Sequence, residues 1–121
     1  MNVCITSQGK DLDSMVDPRF GRCQYFIIAD IDSLEFEAVV NPNMDTSGGA
    51  GIQSGQLMSE KQVKAVLTGN VGPNAFQTLK AAGINIITGA SGTVKQAIEK
   101  YKSEGFKLTD GPSVDSHFGI K

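Results

Sequence analysis

The sequence predicts an α/β fold in which three helices flank a five-stranded, mixed sheet. An apolar segment at residues 63–67 lies between two segments with helical character. A strand in this position belongs to a partly parallel sheet, because a parallel neighbour can be reached only through a crossover connection. Glycine-rich loops precede both helices, as expected where a chain turns tightly into a helix.

The N-terminal part of the chain predicts three strands. Residues 2–6 form a short apolar run, which is followed by a polar loop at residues 7–18. Residues 24–29 and 35–40 are two further strand segments joined by a turn, so they predict a hairpin. Pro42 ends the third strand, because proline cannot donate a hydrogen bond to a neighbouring strand.

The C-terminal part predicts three helices that alternate with two strands. These elements are a helix at residues 50–61, a strand at 63–67, a helix at 73–82, a strand at 84–87 and a helix that opens with a capping box at 93–96. Gly51 and Gly55 share one face of the first helix, which would let that face approach the sheet or a ligand closely. Gly83 and Gly105 are the predicted ends of the second and third helices.

If the first three strands form an antiparallel meander and each later strand returns by a right-handed crossover, the first, third, fourth and fifth strands point the same way. Their C-terminal loops then share one edge of the sheet, which we call the rim. The rim comprises residues 19–22, 44–51, 69–74 and 88–93, with Cys23 beside them. Ligands of open sheets bind at this edge where the strand order reverses, here between the first and fourth strands. Helix N-termini at the rim favour an anionic ligand.

The composition predicts one globular domain, which we place at residues 1–106, followed by a flexible tail at residues 107–121. The chain has 121 residues, 40% of them hydrophobic, and a formal net charge of −2. This mildly acidic balance weighs against general nucleic-acid binding. We find no signal peptide or membrane-spanning run, so we expect a cytoplasmic protein. Its two cysteines, Cys4 and Cys23, are expected to be thiols in a reducing compartment.

Two residues are candidate metal ligands. Cys23 follows Arg22, a cationic neighbour that would lower the pKa of the thiol and favour the thiolate. An equally weighted alternative is that Cys23 is a small buried residue, as we expect for Cys4 within the first strand. His117 lies in the polar tail, where it is either a solvated side chain or a nitrogen ligand for a soft or borderline metal.

The sequence offers little support for catalysis. The glycine loops match neither a dinucleotide-binding nor a P-loop fingerprint, and no serine lies in a nucleophile elbow. The first strand lacks the carboxylates with which ribonuclease H-like nucleases bind two metal ions. The loop that follows contains Asp11, Asp13 and Asp17, which we expect to be solvated. We therefore expect a protein that is not an enzyme.

Four motifs resemble the dinitrogenase iron–molybdenum cofactor biosynthesis family, which includes NifX- and NafY-like carriers and the C-terminal domain of NifB. They are Arg19-Phe20-Gly21-Arg22-Cys23, Gly48-Gly49-Ala50-Gly51-Ile52, Thr68-Gly69-Asn70-Val71-Gly72-Pro73-Asn74-Ala75-Phe76 and Gly89-Ala90-Ser91-Gly92-Thr93-Val94. The resemblance covers nearly the whole chain, in order. One difference is that Arg19 stands where cofactor-handling members have the histidine of a His-Phe-Gly turn, whereas this chain has His-Phe-Gly at residues 117–119.

The resemblance implies a ribonuclease H-like fold and a role in carrying an iron–sulfur or iron–molybdenum cluster between cofactor-assembly and acceptor proteins. The cofactor-binding residues would be Arg19, Phe20, Gly21, Arg22, Gly48, Gly49, Gly51, Asn70 and Gly72. Helix N-termini and arginines suit these clusters, because the clusters are anionic. Cys23 or His117 would supply a labile direct metal ligand.

Two other classes of function remain open at this point. A non-metal module of the same fold would bind a small anion or a protein partner at the rim. Its ligand would raise the thermal stability of the protein without forming a coloured cluster. An enzyme is the third class, although nothing in the sequence suggests its reaction.

Overall fold

Five strands and three helices make up the part of the chain that the structure describes. The computed structural model describes residues 1–42 and 50–104. The strands are β1 (Asn2–Ser7), β2 (Tyr25–Asp30), β3 (Phe36–Val40), β4 (Val63–Leu67) and β5 (Asn85–Ile87). The helices are α1 (Ala50–Glu60), α2 (Pro73–Ala81) and α3 (Val94–Glu104). Each predicted element is present, with bounds that differ from the prediction by at most one residue.

The strands form one mixed sheet in the order β3-β2-β1-β4-β5. Strand β2 is antiparallel to both β1 and β3, whereas β4 is parallel to both β1 and β5. The first, third, fourth and fifth strands therefore point the same way, as predicted. The mixed five-stranded sheet with three helices is confirmed, while the ribonuclease H-like assignment stays a prediction. No helix in the described ranges is long and apolar enough to span a bilayer.

The sheet separates two hydrophobic clusters, because successive side chains of a strand point to opposite faces. One face packs against α1 and α2 and includes Cys4, Phe26, Val66, Met58 and Leu79. The other face packs against α3 and includes Val3, Ile5, Leu67, Val94 and Ile98. Strands β1 and β4 are covered on both faces, which accounts for their continuous apolar runs.

Local signals in the sequence correctly predicted how α2 and α3 begin. Helix α2 starts at Pro73, where the missing N–H does no harm. In the capping box of α3, the Thr93 N–H donates to Gln96 Oε1 at 2.9 Å and the Gln96 N–H donates to Thr93 Oγ1 at 3.1 Å.

The close approach expected at Gly55 is made to α2 rather than to the sheet or a ligand. A Cβ atom at this position would lie 2.6 Å from Cγ2 of Thr78. Glycine therefore lets α1 and α2 pack side by side on one face of the sheet.

Candidate functional site

The chain itself fills the crevice between β1 and β4 at the rim. Val16 forms an antiparallel bridge with Ser7, and the Asp17 N–H donates to the Thr6 carbonyl at 2.8 Å. The Thr6 hydroxyl donates to the Asp17 carbonyl at 2.6 Å and lies 2.8 Å from Oγ1 of Thr68. Because a hydroxyl has one proton, Thr68 is the donor of the second bond. A ligand predicted between the first and fourth strands must therefore lie outside this buried network.

A second contact joins the Arg19 turn to the loop after β4. Arg19 and Asn70 form a parallel bridge, in which the Asn70 N–H donates to the Pro18 carbonyl at 2.8 Å and the Phe20 N–H donates to the Asn70 carbonyl at 3.3 Å. Glycine at position 69 permits this approach, because a Cβ atom there would lie 2.6 Å from Cα of Pro18. Two of the predicted site residues, Arg19 and Asn70, are thus adjacent.

Arg19 is paired with a buried carboxylate. Oδ1 of Asp17 accepts hydrogen bonds from the Arg19 N–H at 3.0 Å and from Nε at 3.2 Å, and Oδ2 accepts one from Nη2 at 3.4 Å. The Asp17 side chain is 1% exposed, whereas that of Arg19 is 36% exposed. The hydrogen bond to Asp17 raises the pKa of the Arg19 guanidinium.

The prediction that Asp17 is solvated was wrong. Arg19 neutralises the charge of Asp17, and the backbone N–H supplies a further bond, which together offset the cost of removing the carboxylate from water. An aspartate two residues before an arginine, with proline between them, is a typical start of an Asx-turn, so a local signal was present.

The turn at residues 20–23 is anchored in the core. The Phe20 ring is buried and its centroid lies 5.7 Å from that of Phe26. Gly21 has a φ of 92°, in the left-handed region that favours glycine. The side-chain amide of the buried Asn41 donates to the Gly21 carbonyl at 3.0 Å and to the Cys23 carbonyl at 2.8 Å. Phe20 and Gly21 therefore shape the turn, with Asn41 as a support that the sequence did not suggest.

Cys23 is a buried thiol in this structure. Its side chain is 0% exposed and lies in the same hydrophobic cluster as Cys4. Burial raises the pKa of the Cys23 thiol, and the negative charge of Asp17 raises it further. The expectation that Arg22 lowers this pKa was wrong, and the alternative of a small buried residue is supported. Both cysteines are free thiols, and a direct metal bond from Cys23 stays a prediction.

The N-terminus of α2 lies two residues after Asn70. Gly72 is the N-cap residue, and it makes no side-chain capping bond. The next residue, Pro73, has no N–H, so Asn74 and Ala75 carry the first amide groups of the helix. Amides in the first turn have no partner within the helix and can bind an anion. The pairing of Arg19 with Asn70 thus places a cationic turn near this end of α2.

The N-terminus of α3 is closed by the chain itself, although we expected its loop to belong to the ligand-binding rim. The Val94 N–H donates to the Ser14 carbonyl at 2.9 Å, and the Lys95 N–H donates to the Leu12 carbonyl at 2.9 Å. The capping box uses the next donor of the first turn, on Gln96. Helix α3 therefore has no donor of its first turn left for an anion at this end.

The remaining predicted site residues are not brought together in the described part of the chain. Gly48, Gly49 and His117 lie outside the described residues, and Gly51 belongs to the first turn of α1. Arg22 is partly exposed within the turn next to Cys23. Among residues 1–42 and 50–104, no group of three or more His, Cys, Asp or Glu side chains is arranged to hold a metal ion.

A cavity lies at the opposite edge of the sheet, away from the rim. It has a volume of ≈ 500 Å³, and its lining includes Met1, Asn2, Val63 and Lys64, at the N-terminal ends of β1 and β4. None of the predicted site residues lines it. The rim stays the predicted location of the site.

Comparisons with known proteins agree with the resemblance found in the sequence. The chain is 36% identical to the orange protein from Desulfovibrio gigas, whose apo form superposes with a TM-score of 0.89, over 93% of this chain and 96% of that one. It is 42% identical to a NifB-like protein from Thermotoga, with a TM-score of 0.77, over 88% of this chain and 91% of that one.

Two further comparisons concern the sequence alone. The uncharacterized protein MJ0580 from Methanocaldococcus jannaschii is 27% identical over 92 residues, which cover 74% of this chain and 78% of that protein. The family model for the dinitrogenase iron–molybdenum cofactor matches residues 1–104. This chain therefore belongs to the dinitrogenase iron–molybdenum cofactor family.

Proposed function

We propose that this protein binds an anionic iron–sulfur or iron–molybdenum type cluster at the rim and carries it as cargo, without turning over a substrate. The observation that carries the proposal is the pairing of the Arg19 turn with Asn70, which sets a cationic turn beside the uncapped N-terminus of α2. Membership of the cofactor family supports the same function. The orange protein supports it as well, since its apo form implies a state with a ligand.

The cargo would be held mainly by electrostatic attraction and hydrogen bonds. Arg19 and Arg22 supply positive charge, while the first amides of α2 and the side chain of Asn70 supply donors. Asp17 already offsets much of the Arg19 charge, and water screens the rest because Arg19 is 36% exposed, so the attraction to a cluster is modest. A modest attraction suits a carrier that must release its cargo to an acceptor protein.

Direct metal ligation would be a second step. Cys23 can bind metal only after the turn at residues 20–23 opens and the thiol ionises, because it is buried and protonated in the described state. Gly48, Gly49 and Gly51 would add backbone contacts to the cargo, with His117 as a candidate nitrogen ligand. The partners would be proteins that assemble the cluster and proteins that accept it.

Anaerobic reconstitution tests the proposal. The protein is incubated with iron and sulfide, excess reagents are removed, and bound iron is counted alongside the visible spectrum. We expect stoichiometric iron with sulfide-to-iron charge-transfer bands, and reduced uptake when Arg19→Gln and Arg22→Gln are combined. Uptake by this double variant equal to that of the wild type would contradict the assignment of the site.

Two cysteine variants separate direct ligation from electrostatic binding. Cys23→Ala removes the candidate ligand, whereas Cys4→Ala removes a thiol that is equally buried in the same cluster and serves as the control. Loss of uptake in Cys23→Ala alone would identify Cys23 as a ligand. Equal uptake by both variants would remove Cys23 from the site.

A second candidate function is a non-metal module that binds a small anion or a protein at the rim. The observation in its favour is that the described residues include no group of metal ligands and that Cys23 is a buried, neutral thiol. This function predicts thermal stabilisation by phosphate or a peptide, with no iron bound after reconstitution. Stoichiometric iron would exclude it as the main function.

A further inference from the structure

We infer that Asp17 is a positioning residue, which holds the Arg19 guanidinium so that its outer edge receives an anion with two terminal acceptor atoms. The inference rests on the proposed function, because it concerns how the same site recognises its cargo. It adds a residue that lay outside the predicted site and a chemical class of ligand.

The hydrogen bonds define which edge of the guanidinium remains available. A guanidinium has five N–H donors in a rigid, planar arrangement. Asp17 uses the Nε donor and one donor on Nη2 of Arg19, at 3.2 Å and 3.4 Å. The second donor on Nη2 and a donor on Nη1 form the next edge, where two parallel N–H groups match two acceptor atoms of one anion.

The backbone of Asp17, which carries this carboxylate, is held in place by hydrogen bonds. The Asp17 N–H donates to the Thr6 carbonyl, and the Asp17 carbonyl accepts the hydroxyl of Thr6, which in turn accepts from Thr68. The side chain is 1% exposed, so it has little freedom to follow a moving arginine. Arg19 therefore loses part of its conformational freedom before a ligand arrives, which lowers the entropic cost of binding.

This arrangement predicts a preference among anions. Oxoanions and sulfido-anions with two terminal acceptor atoms can bind both parallel N–H groups of Arg19. A single-atom anion such as chloride can bind only as a point charge. Lysine at position 19 would keep the charge but would lack the two parallel N–H groups.

The effect of Asp17 also distinguishes positioning from simple charge attraction. If charge alone governed binding, Asp17→Asn would strengthen the binding of an anion, because it removes a nearby negative charge. If Asp17 positions Arg19, the same change weakens binding. Asp13→Asn is the matched control, since it makes the same change of charge at an exposed position of the same loop.

The experiment is a titration of the full chain with inorganic phosphate and with sodium chloride, followed by NMR of the arginine Nε–H groups. In the wild type and in Asp13→Asn we expect phosphate to shift the Arg19 signal in a saturable manner and chloride to cause no saturable shift. Asp17→Asn and Arg19→Lys should each weaken phosphate binding about 10-fold or more, as expected for loss of a charge-assisted bond. Arg19→Lys is followed through the Asn70 amide.

Two results would overturn the inference. One is phosphate binding to Asp17→Asn that is as tight as, or tighter than, binding to the wild type. The other is a wild-type Arg19 signal that phosphate leaves unchanged. If Asp17→Asn does not fold, Arg19→Lys tests the pair of N–H groups that Asp17 is inferred to hold, and phosphate binding by Arg19→Lys as tight as that of the wild type would overturn the inference. Because the titration contains no iron, its result is independent of cluster uptake. Failure of this inference can therefore be distinguished from failure of the proposed function.

Discussion

Replacing Gly69 with alanine should separate the Arg19 turn from the loop after β4. The added Cβ would lie 2.6 Å from Cα of Pro18, 2.8 Å from its Cβ and 3.0 Å from its carbonyl oxygen. Because backbone atoms make up part of this contact, no side-chain rotation relieves it. The two segments must move apart by roughly 0.8 Å to reach ordinary van der Waals contact.

The cost of this separation follows from the contacts that it breaks. The bonds between Asn70 and Pro18 at 2.8 Å and between Phe20 and Asn70 at 3.3 Å would both exceed hydrogen-bond length. Their loss costs about 1 kcal/mol each, and residual overpacking costs about 1–3 kcal/mol. Alanine returns about 0.4–1 kcal/mol by restricting the unfolded chain. We therefore expect a net destabilisation of about 2–5 kcal/mol.

Urea denaturation measures this change in the free energy of unfolding, and iron uptake after reconstitution measures its effect on the site. Gly83→Ala is the control, because Gly83 has a φ of 76° and no atom within 4 Å of an added Cβ. The control should lose about 1 kcal/mol through backbone strain and retain uptake. A Gly69→Ala protein that keeps its urea midpoint and its uptake would refute the reasoning.

Three further predictions concern stability. Burial raises the pKa values of both thiols above 9.0, so the folded state keeps protons that the unfolded state releases. The free energy of unfolding should therefore fall as pH rises above about 9, by about 1.4 kcal/mol per pH unit for each thiol. Urea midpoints between pH 7 and 10.5 test this, and Cys23→Ala should halve the slope that Cys4 and Cys23 produce together. Asn41→Asp should cost roughly 2–4 kcal/mol in urea denaturation, because a carboxylate would face two carbonyls that now accept hydrogen bonds. Asn41→Asp with wild-type stability would contradict the anchoring role. Gly55→Ala should destabilise the protein by about 1 kcal/mol through its contact with Thr78, and adding Thr78→Ser, which removes Cγ2, should reverse the loss in thermal denaturation. If Thr78→Ser does not restore the stability of Gly55→Ala, the contact between Gly55 and Thr78 is not the cause of the loss.

The sequence predicted the features that local signals control. Strand and helix positions follow from apolar runs and from residues such as Pro73 and the Thr93 capping box, which act on their immediate neighbours. The common direction of the first, third, fourth and fifth strands followed from an antiparallel meander and from right-handed crossovers. Arg19 and Asn70 were predicted to share one edge of the sheet because both follow strands that point toward it, and the structure places them in direct contact.

The features that the sequence did not predict depend on contacts between distant segments. The network of Thr6, Asp17 and Thr68 forms only when the loop after β1 folds back over the crevice. The pKa of Cys23 depends on its burial, and Arg22 does not compensate although it is adjacent in sequence. The environment of a side chain in the core is set by packing, which adjacency along the chain does not reveal.

The central claim is that the rim holds an anionic metallocluster, and anomalous diffraction at the iron edge tests it most directly. Crystals would be grown from protein loaded anaerobically with iron and sulfide. We predict an anomalous peak beside the Arg19 guanidinium and the N-terminus of α2. A peak in the ≈ 500 Å³ cavity that Met1 and Lys64 help to line, at the opposite edge of the sheet, would contradict the claim.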